Sequence, residues 1–269
     1  LRLIKTLNII NNSFYMIETI VLVITAFITS VLSAIIGMGG GITLLGVMAI
    51  VIPEGYMVVA FHGITQLVSN ITRTTVYREH IYKPILKKFF IGIIPGLVFA
   101  VLIIIGLINF FDFQSASEFK IDLLKPLIGI YIIWFLYLKK KKKIQSDGVF
   151  LLMGTLSGLV TVFIGAAGPL IAPFFIDRNL SKENIVATKA ACQAIGHIGK
   201  IPIFIYFFGV NYFHHWYVLL PLVLAVYSGT KIGKWYLGKL SEQLFTKLFR
   251  FVLTMIAARL IFEQLLKLF

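Results

Sequence analysis

Long apolar runs, each near the length that spans a lipid bilayer, are the feature that most constrains this chain. Ile17–Ile36 and Phe89–Asn109 are two of them. About 20 apolar residues in a helix cross the hydrocarbon core of a membrane. Hydrophobic residues make up 59% of the 269 residues and charged residues only 13%, so the chain has more apolar surface than a soluble core of this length can bury. The sequence therefore predicts an all-α integral membrane protein.

Ten helical segments follow from the apolar pattern and its polar interruptions. Two of them are too short to span a membrane alone, because eleven helical residues reach only about 16 Å. We therefore expect these two to be half-helices. The predicted segments are Ile17–Ile36, Ile42–Ile52, Met57–Tyr77, Phe89–Asn109, Ile121–Leu138, Gly148–Ile164, Pro169–Ile176, Ile185–Phe208, Trp216–Thr230 and Glu242–Phe269.

Each short segment follows a break rich in small residues, Gly37–Gly41 in one case and Gly165–Pro169 in the other. Non-helical backbone at membrane depth is tolerated only where protein buries it or where it lines a cavity. Helix N-termini that follow such breaks also offer unpaired N–H groups and a positive dipole end to an anion. Both breaks are therefore predicted to lie at a site.

Positive charge is concentrated in particular connections between the apolar runs. The 25 Lys and Arg against 11 Asp and Glu could suggest nucleic-acid binding, but their placement is typical of membrane orientation instead. The connections Phe110–Lys120 and Gly209–His215 are poor in basic residues and are predicted outside, as are both termini. The predicted cytoplasmic loops carry Arg78, Lys83, Lys87 and Lys88; Lys139–Lys143; Arg178 and Lys182; and Lys231, Lys234, Lys239 and Lys247.

The order of segments is repeated along the chain. The sequence predicts a single membrane domain, 1–269, with a first repeat over 17–138, a Lys-rich cytoplasmic linker over 139–147 and a second repeat over 148–269. Two segments of each half form a hairpin, so each half crosses the membrane an odd number of times. The repeat is therefore predicted to be inverted, which is typical of transporters.

The long helix after each break carries a matching polar stripe. Four polar positions, spaced i, i+4, i+8 and i+11, recur 127 residues later on one helix face. Hydrogen bonding between helices is the simpler interpretation of any one of them. Cations near the bilayer centre cost at least about 2.5–3.5 kcal/mol, however, and no acidic residue lies mid-helix to pair with them, so an anionic ligand is expected. The stripes are His62, Gln66, Asn70 and Arg73, and Lys189, Gln193, His197 and Lys200.

The two breaks, the Gln-bearing helix after each and the Pro95-Gly96 segment together resemble the sulfite exporter TauE/SafE family over essentially the whole chain. The resemblance implies secondary transport of small sulfur-containing anions at the inner membrane. Two departures predict unequal half-sites. Ala166 and Ala167 replace glycines in the second break, and Leu45 stands where the first would need a proline to match Pro173.

The predicted site combines the breaks with the polar stripes. No metal site, cofactor or catalytic motif is predicted, and the single cysteine excludes an intramolecular disulfide. Secondary candidates are His62, Thr43, Lys189 and Cys192. His62 and the substrate-binding candidate His197 could also carry protons. The predicted substrate-binding residues are Gly37, Gly39, Gly40, Gly41, Gln66, Asn70, Arg73, Gly165, Gly168, Gln193, His197 and Lys200.

The predicted function is export of sulfite, thiosulfate or an organosulfonate by alternating access. The expected partners are this small anion and membrane lipids, with no nucleic acid, and a homo-oligomer is left open. A passive anion channel is the main alternative, because rings of Arg and Lys also select anions in pores. An intramembrane enzyme is a second alternative, but no metal-binding or nucleophile motif supports it.

Overall fold

Helices form nearly all of the chain that the computed structural model describes, which is residues 2–116, 130, 132–138, 146–176, 178 and 180–265. This confirms the predicted fold class. Of the predicted segment Ile121–Leu138, only the end is described, with a π-helical stretch at Trp134–Leu138, and Lys139–Lys143 lie outside the described residues. The helices are α1 (Arg2–Ile36), α2 (Gly40–Val51), α3 (Gly55–Val76), α4 (Lys83–Phe111), α5 (Val149–Phe163), α6 (Gly168–Ile171), α7 (Pro173–Ile176), α8 (Lys182–Phe208), α9 (Trp216–Leu237) and α10 (Glu242–Leu265).

Four described helices are long and apolar enough to cross a membrane: the Ile17–Ile36 part of α1, and α4, α8 and α9. Their outer faces carry large exposed apolar side chains, among them Ile94, Leu102 and Leu220. Such side chains are stable against lipid acyl chains and would be costly in water. The chain is a multi-pass membrane protein.

The two breaks differ in backbone conformation. Gly37 and Gly39 have φ of 79° and 95°, and Gly165 has φ of 90°, a left-handed region that strongly favours glycine. Ala167, which follows Gly165 by two residues as Gly39 follows Gly37, has φ of −87° and needs no glycine. This explains how alanine can occupy the second break.

Three predicted boundaries are wrong. The helix predicted from Ile17 begins at Arg2, the helix predicted from Phe89 begins at Lys83, and α9 continues beyond Thr230 to Leu237. The basic residues assigned to loops therefore lie partly in helices. Their long apolar stems can lie along a helix while the charged groups reach water. The residues so corrected are Lys83, Lys87 and Lys88 in α4, Lys182 at the start of α8, and Lys231 and Lys234 in the last turns of α9.

Small residues bring two pairs of helices into close contact. A Cβ built on Gly96 of α4 would lie 2.1 Å from the Thr155 carbonyl oxygen of α5. Likewise, a Cβ on Gly229 of α9 would lie 2.5 Å from the Phe27 carbonyl oxygen of α1. Backbones approach this closely only where small residues face each other, a common means of helix association in membranes. The first helix of one half thus packs on a long helix of the other half, α1 on α9 and α5 on α4.

Helices α3 and α8 cross at the centre of the molecule and run antiparallel. The His62 and His197 rings lie 6.0 Å apart, and beyond the end of α3 the Tyr82 N–H donates to Thr188 Oγ1 at 2.8 Å. Residue numbers thus rise along one helix as they fall along the other. Because Gln66 and Gln193 occupy the middle of this crossing, the two polar stripes face each other.

The other long helices align with one member of this crossing. Ser69 of α3 contacts Thr230 of α9 at 3.2 Å, and Lys234 lies over the Tyr77 ring at 5.6 Å, so α9 runs parallel to α3. The Cβ positions of Gly196 and Gly199 on α8 approach Ile93 and Leu97 of α4 in the same order. With the pairings above, α1, α3 and α9 run one way, and α4, α5 and α8 run the other way.

One end of the molecule gathers the basic connections. Arg178, after α7, pairs with Asp147, before α5, and Lys182 bonds to the Leu240 carbonyl oxygen before α10. Asn184 donates to the His80 carbonyl oxygen at 2.6 Å. The loops after α3, α7 and α9 therefore lie on one face, which we call the basic face. Residues 52–56 and 209–215 at the other end contain no Lys or Arg.

Candidate anion-binding site

A small cavity of about 20 Å³ lies between the two breaks and the crossing of α3 and α8. Backbone of both breaks, Gly39 and Gly168, lines it together with Gln66 and Gln193. A space of this size holds about one ordered water. It is too small for an oxyanion with several oxygens, so the cavity would have to widen to hold one.

Arg73 is the cation that α3 contributes, and it is 2% exposed. Its guanidinium donates to the Ser33 carbonyl oxygen of α1 at 3.2 Å, to the Ser69 carbonyl oxygen at 3.4 Å and to Asn70 Oδ1. All three acceptors are neutral. The hydrogen bonds therefore fix the position of the guanidinium without neutralising its charge.

Lys189 is the second buried cation, at 1% exposure. Its Nζ donates to the Gly37 carbonyl oxygen at 2.8 Å and to Gln193 Oε1 at 3.3 Å. A lysine of the second half thus holds the first glycine of the break in the first half. The break exposes this carbonyl because Gly37 leaves the helical conformation.

Lys200 contacts both halves. Its Nζ donates to the Val59 carbonyl oxygen at 3.1 Å and to the Gly165 carbonyl oxygen at 3.4 Å. The lysine stem passes Gly63, where an added Cβ would lie 2.8 Å from Lys200 Cε. Each break is therefore held by a lysine of α8, the first break from the other half and the second from its own half.

None of these three cations has a carboxylate partner among the residues that the structure describes. The ion pairs found there, Arg178 with Asp147 and Lys182 with Glu183, lie at the basic face. Three uncompensated positive charges beside one cavity attract an anion strongly, because little water screens them.

The two glutamines lie against the glycines of the breaks in matching positions. A Cβ on Gly41 would lie 2.9 Å from Gln66 Oε1, and a Cβ on Gly168 would lie 2.5 Å from Gln193 Nε2. The absence of side chains at these glycines leaves the amides in contact with the backbone. Amide N–H groups can donate to an oxyanion without adding charge.

Two buried histidines complete the crossing. His62 Nε2 lies 2.8 Å from the Gly41 carbonyl oxygen, and since a carbonyl only accepts, Nε2 carries the hydrogen. Within the described residues, the Nδ1 atoms of both His62 and His197 are buried without a hydrogen-bond partner. Each ring therefore has a nitrogen free to bind a ligand or a proton.

A sequence profile, that of the sulfite exporter TauE/SafE family, matches residues 22–260. The chain belongs to this family. No curated protein and no solved structure gives a significant match to it. The resemblance seen in the breaks and the Gln-bearing helices is thereby confirmed.

In this TauE/SafE protein most of the predicted site residues meet at the cavity. Both breaks and both long helices contribute, as the repeat predicts. Lys189 and His62, predicted as secondary candidates, are as central as the others. The predicted residues that line the cavity are Gly39, Gly41, His62, Gln66, Arg73, Gly168, Lys189, Gln193 and His197.

Other predicted residues lie behind this lining. Gly40 supports the hairpin, because its added Cβ would lie 1.8 Å from the Thr29 carbonyl oxygen. Thr43 donates to the Gly39 carbonyl oxygen at 3.1 Å, and Cys192 is fully buried away from the cavity. The remaining predicted residues make hydrogen bonds at the site. Gly37 accepts from Lys189, Asn70 accepts from Arg73, and Gly165 accepts from Lys200.

Five lining residues escaped sequence reasoning. Four of them, Met38, Ile42, Ala166 and Pro169, are in the breaks or next to them, so their position could have predicted them. The fifth, Ser33, lies one turn before Gly37, and its only sequence signal is a hydroxyl in an apolar run. Its role comes from its carbonyl oxygen, which the residue type does not predict.

The two half-helices after the breaks are unequal. The first, α2, is a continuous helix of 12 residues from Gly40. The second is interrupted, with α6 ending at Ile171 before α7 starts at Pro173, each of four residues. A helix dipole grows from aligned peptide units, so the first break has the stronger positive end. The predicted inequality of the half-sites lies in helix length as well as in glycine content.

Proposed function

We propose that this chain exports a small sulfur-containing oxyanion, such as sulfite, thiosulfate or an organosulfonate, across the plasma membrane by alternating access. The observation that carries the proposal is the cluster of buried cations Arg73, Lys189 and Lys200, which hydrogen-bond only to neutral acceptors in the described part of the chain. Membership in the sulfite exporter family supports the sulfur chemistry.

The buried charges are costly unless an anion joins them. Each charge near the bilayer centre costs at least about 2.5–3.5 kcal/mol. A bound oxyanion would offset this cost by accepting hydrogen bonds from Arg73, Lys189 and the two glutamine amides. Charge-assisted hydrogen bonds of this kind are roughly twice as strong as neutral ones.

Alternating access is supported by the proposed relation between the halves, 17–138 and 148–269, as an inverted repeat. Helices α5, α8 and α9 of the second half run opposite to α1, α3 and α4, their counterparts in the first. Lys189 and Lys200 of the second half donate to the Gly37 and Val59 carbonyl oxygens of the first. A site on such an axis can open to either side at similar energy.

Export is the direction that the membrane potential favours. We propose that the basic face is cytoplasmic, as the distribution of Lys and Arg predicts. Moving one negative charge out of an inside-negative cell then releases about 2.3 kcal/mol per 100 mV. Efflux of an anion would need no coupled cation.

Anion-dependent thermal stability of the purified protein tests the binding step. A ligand at 100 times its dissociation constant raises the unfolding free energy by about 2.7 kcal/mol. We expect sulfite or thiosulfate to raise the melting temperature more than chloride at equal ionic strength. Arg73→Gln should weaken binding roughly 10- to 100-fold, because a hydrogen bond to a charged group contributes about 1.5–3 kcal/mol.

Arg250→Gln is the matched control, because Arg250 is exposed on α10 and does not line the cavity. It should leave the anion effect unchanged. Equal stabilisation of the Arg73→Gln and wild-type proteins would contradict the proposed site. A response to chloride as large as that to sulfite would contradict the proposed substrate class.

A further inference from the structure

Two aromatic residues stand next to the cations at the two ends of the crossing. Tyr77 follows Arg73 by four positions, and Phe204 follows Lys200 by four, so the aromatic residues lie 127 positions apart as the cations do. Both are buried, at 4% and 1% exposure. Matching positions in the two halves indicate a matching role.

A larger space lies at the basic face. This space, which we call the vestibule, has a volume of about 470 Å³ and is lined by Tyr77, Arg78 and Lys234, among others. The Tyr77 N–H donates to the Arg73 carbonyl oxygen at 3.1 Å, and Arg73 lines the cavity. The tyrosine is therefore one helical turn from the cavity.

The environment of the Tyr77 hydroxyl favours movement of the side chain. Its hydroxyl is buried and has no hydrogen-bond partner among the described residues. An unsatisfied buried hydroxyl is unfavourable, and rotation into the vestibule would give it water. Tyr77 is also the last residue of its helix turn, where backbone constraints are weakest.

Phe204 closes the opposite end. Its ring stacks on Phe208 at 4.3 Å with an interplanar angle of 6°, and Phe208 in turn stacks on Tyr56 at 6.4 Å. Lys200 Nζ lies 5.8 Å from the Phe204 ring centroid. This aromatic layer lies between the crossing and the connection at 209–215.

We propose that Tyr77 and Phe204 are the two gates of the transport path, Tyr77 toward the vestibule and Phe204 toward the opposite face. The inference rests on the proposed function, since a carrier must close one side before it opens the other. In each gate a ring blocks the way to a cation one turn away. Movement of either ring would connect the cavity to one face only.

Accessibility of an introduced cysteine tests the gates without any transport assay. The reporter is Ser33→Cys in a Cys192→Ala background, because Ser33 lines the cavity. A membrane-impermeant anionic methanethiosulfonate is added to right-side-out or inside-out vesicles, and its reaction rate is measured by mass. We expect Tyr77→Ala to raise the rate about tenfold from the basic face only, and Phe204→Ala to do so from the opposite face only.

Two controls separate gating from loosening of the fold. Tyr77→Phe keeps the ring and should leave the rate low, and Tyr206→Ala removes a ring that is 81% exposed and should change nothing. Tyr77→Leu and Phe204→Leu are measured alongside, and the face-specific pattern must appear in every Ala or Leu variant of the two gates that elutes as a single species. The proposal is overturned if the Tyr77 and Phe204 variants react faster from the same face, or if either reacts faster from both faces. It is also overturned if folded variants of the two gates show no change in rate.

The result is independent of substrate binding. If sulfite stabilises the protein but the face-specific pattern is absent, the gates are wrong and the proposed function stands. If the pattern appears but no sulfur anion stabilises the protein, the gates stand and the substrate class is wrong.

Discussion

At the residue scale, the site depends on the absence of side chains at particular glycines. Gly41 and Gly168 let the Gln66 and Gln193 amides lie against the backbone of the breaks, and Gly63 leaves room for the Lys200 stem. Side chains at these positions would separate groups that must meet around one small ligand. Glycines, which have no side chain, thus leave the room that lets the polar and charged side chains of the site lie close together.

Gly41→Ala and Gly168→Ala are expected to weaken anion binding about tenfold each, a loss of about 1.4 kcal/mol, because the new Cβ displaces a glutamine amide. The amide is the flexible end of a side chain, so the fold should survive. Gly55→Ala is the control, since nothing lies within 4 Å of its added Cβ. Isothermal titration with sulfite measures the three affinities. Unchanged affinity in both cavity variants would show that the breaks do not contact the anion.

At the element scale, small residues let the helix backbones approach each other closely beside the apolar core. Lipid is as apolar as a leucine side chain, so burial of apolar surface does not drive helices together in a membrane. Close approach of the helix backbones stabilises the association instead. Gly92 and Gly96 of α4 meet Gly154 and Gly158 of α5, and Gly229 and Gly233 of α9 meet α1.

Gly96→Ala should destabilise the protein by about 1–3 kcal/mol, because its Cβ would lie 2.1 Å from the Thr155 carbonyl oxygen, which the backbone cannot easily move. Gly106→Ala in the same helix has nothing within 4 Å and should leave stability unchanged or raise it slightly. Unfolding in dodecyl sulfate compares the two. Equal stability of both variants would contradict close packing of α4 on α5.

The sequence predicted which helices form more accurately than it predicted where each helix begins and ends. Membrane helices and the breaks follow from apolar length and from glycine, both of which act locally, so α2 and α8 begin within a few residues of prediction. The extension of α9 to Leu237 was missed because Lys231 and Lys234 interrupt the apolar pattern. Exposed lysines need not end a helix, because their apolar stems can lie along it while the charged groups reach water.

The candidate site was predicted in outline, since Gln66, Arg73 and Gln193 line the cavity together. The bonds from Lys189 and Lys200 to the first half could not be predicted, because they go to carbonyl oxygens, which every residue carries. Lys189 was predicted only as a secondary candidate. Its bond to the Gly37 carbonyl oxygen joins residues 152 positions apart.

At the scale of the whole molecule, the halves act on each other. Lys189 bonds to Gly37 and Lys200 to Val59, so α8 is tied to the first half, and Lys200 also holds Gly165. Under the proposed alternating access, a shift of one half against the other would move both breaks and couple opening on one side to closure on the other side. This coupling is what distinguishes a carrier from a channel with the same charges.

Counterflow in proteoliposomes tests this account most directly. Vesicles loaded with unlabelled sulfite are diluted into a trace of labelled sulfite. A carrier exchanges one for the other, so label should accumulate transiently inside, with uptake that saturates as sulfite rises and is lost in Arg73→Gln but kept in Arg250→Gln. Flux that rises linearly with concentration and shows no transient accumulation would contradict alternating access and would indicate a passive channel instead.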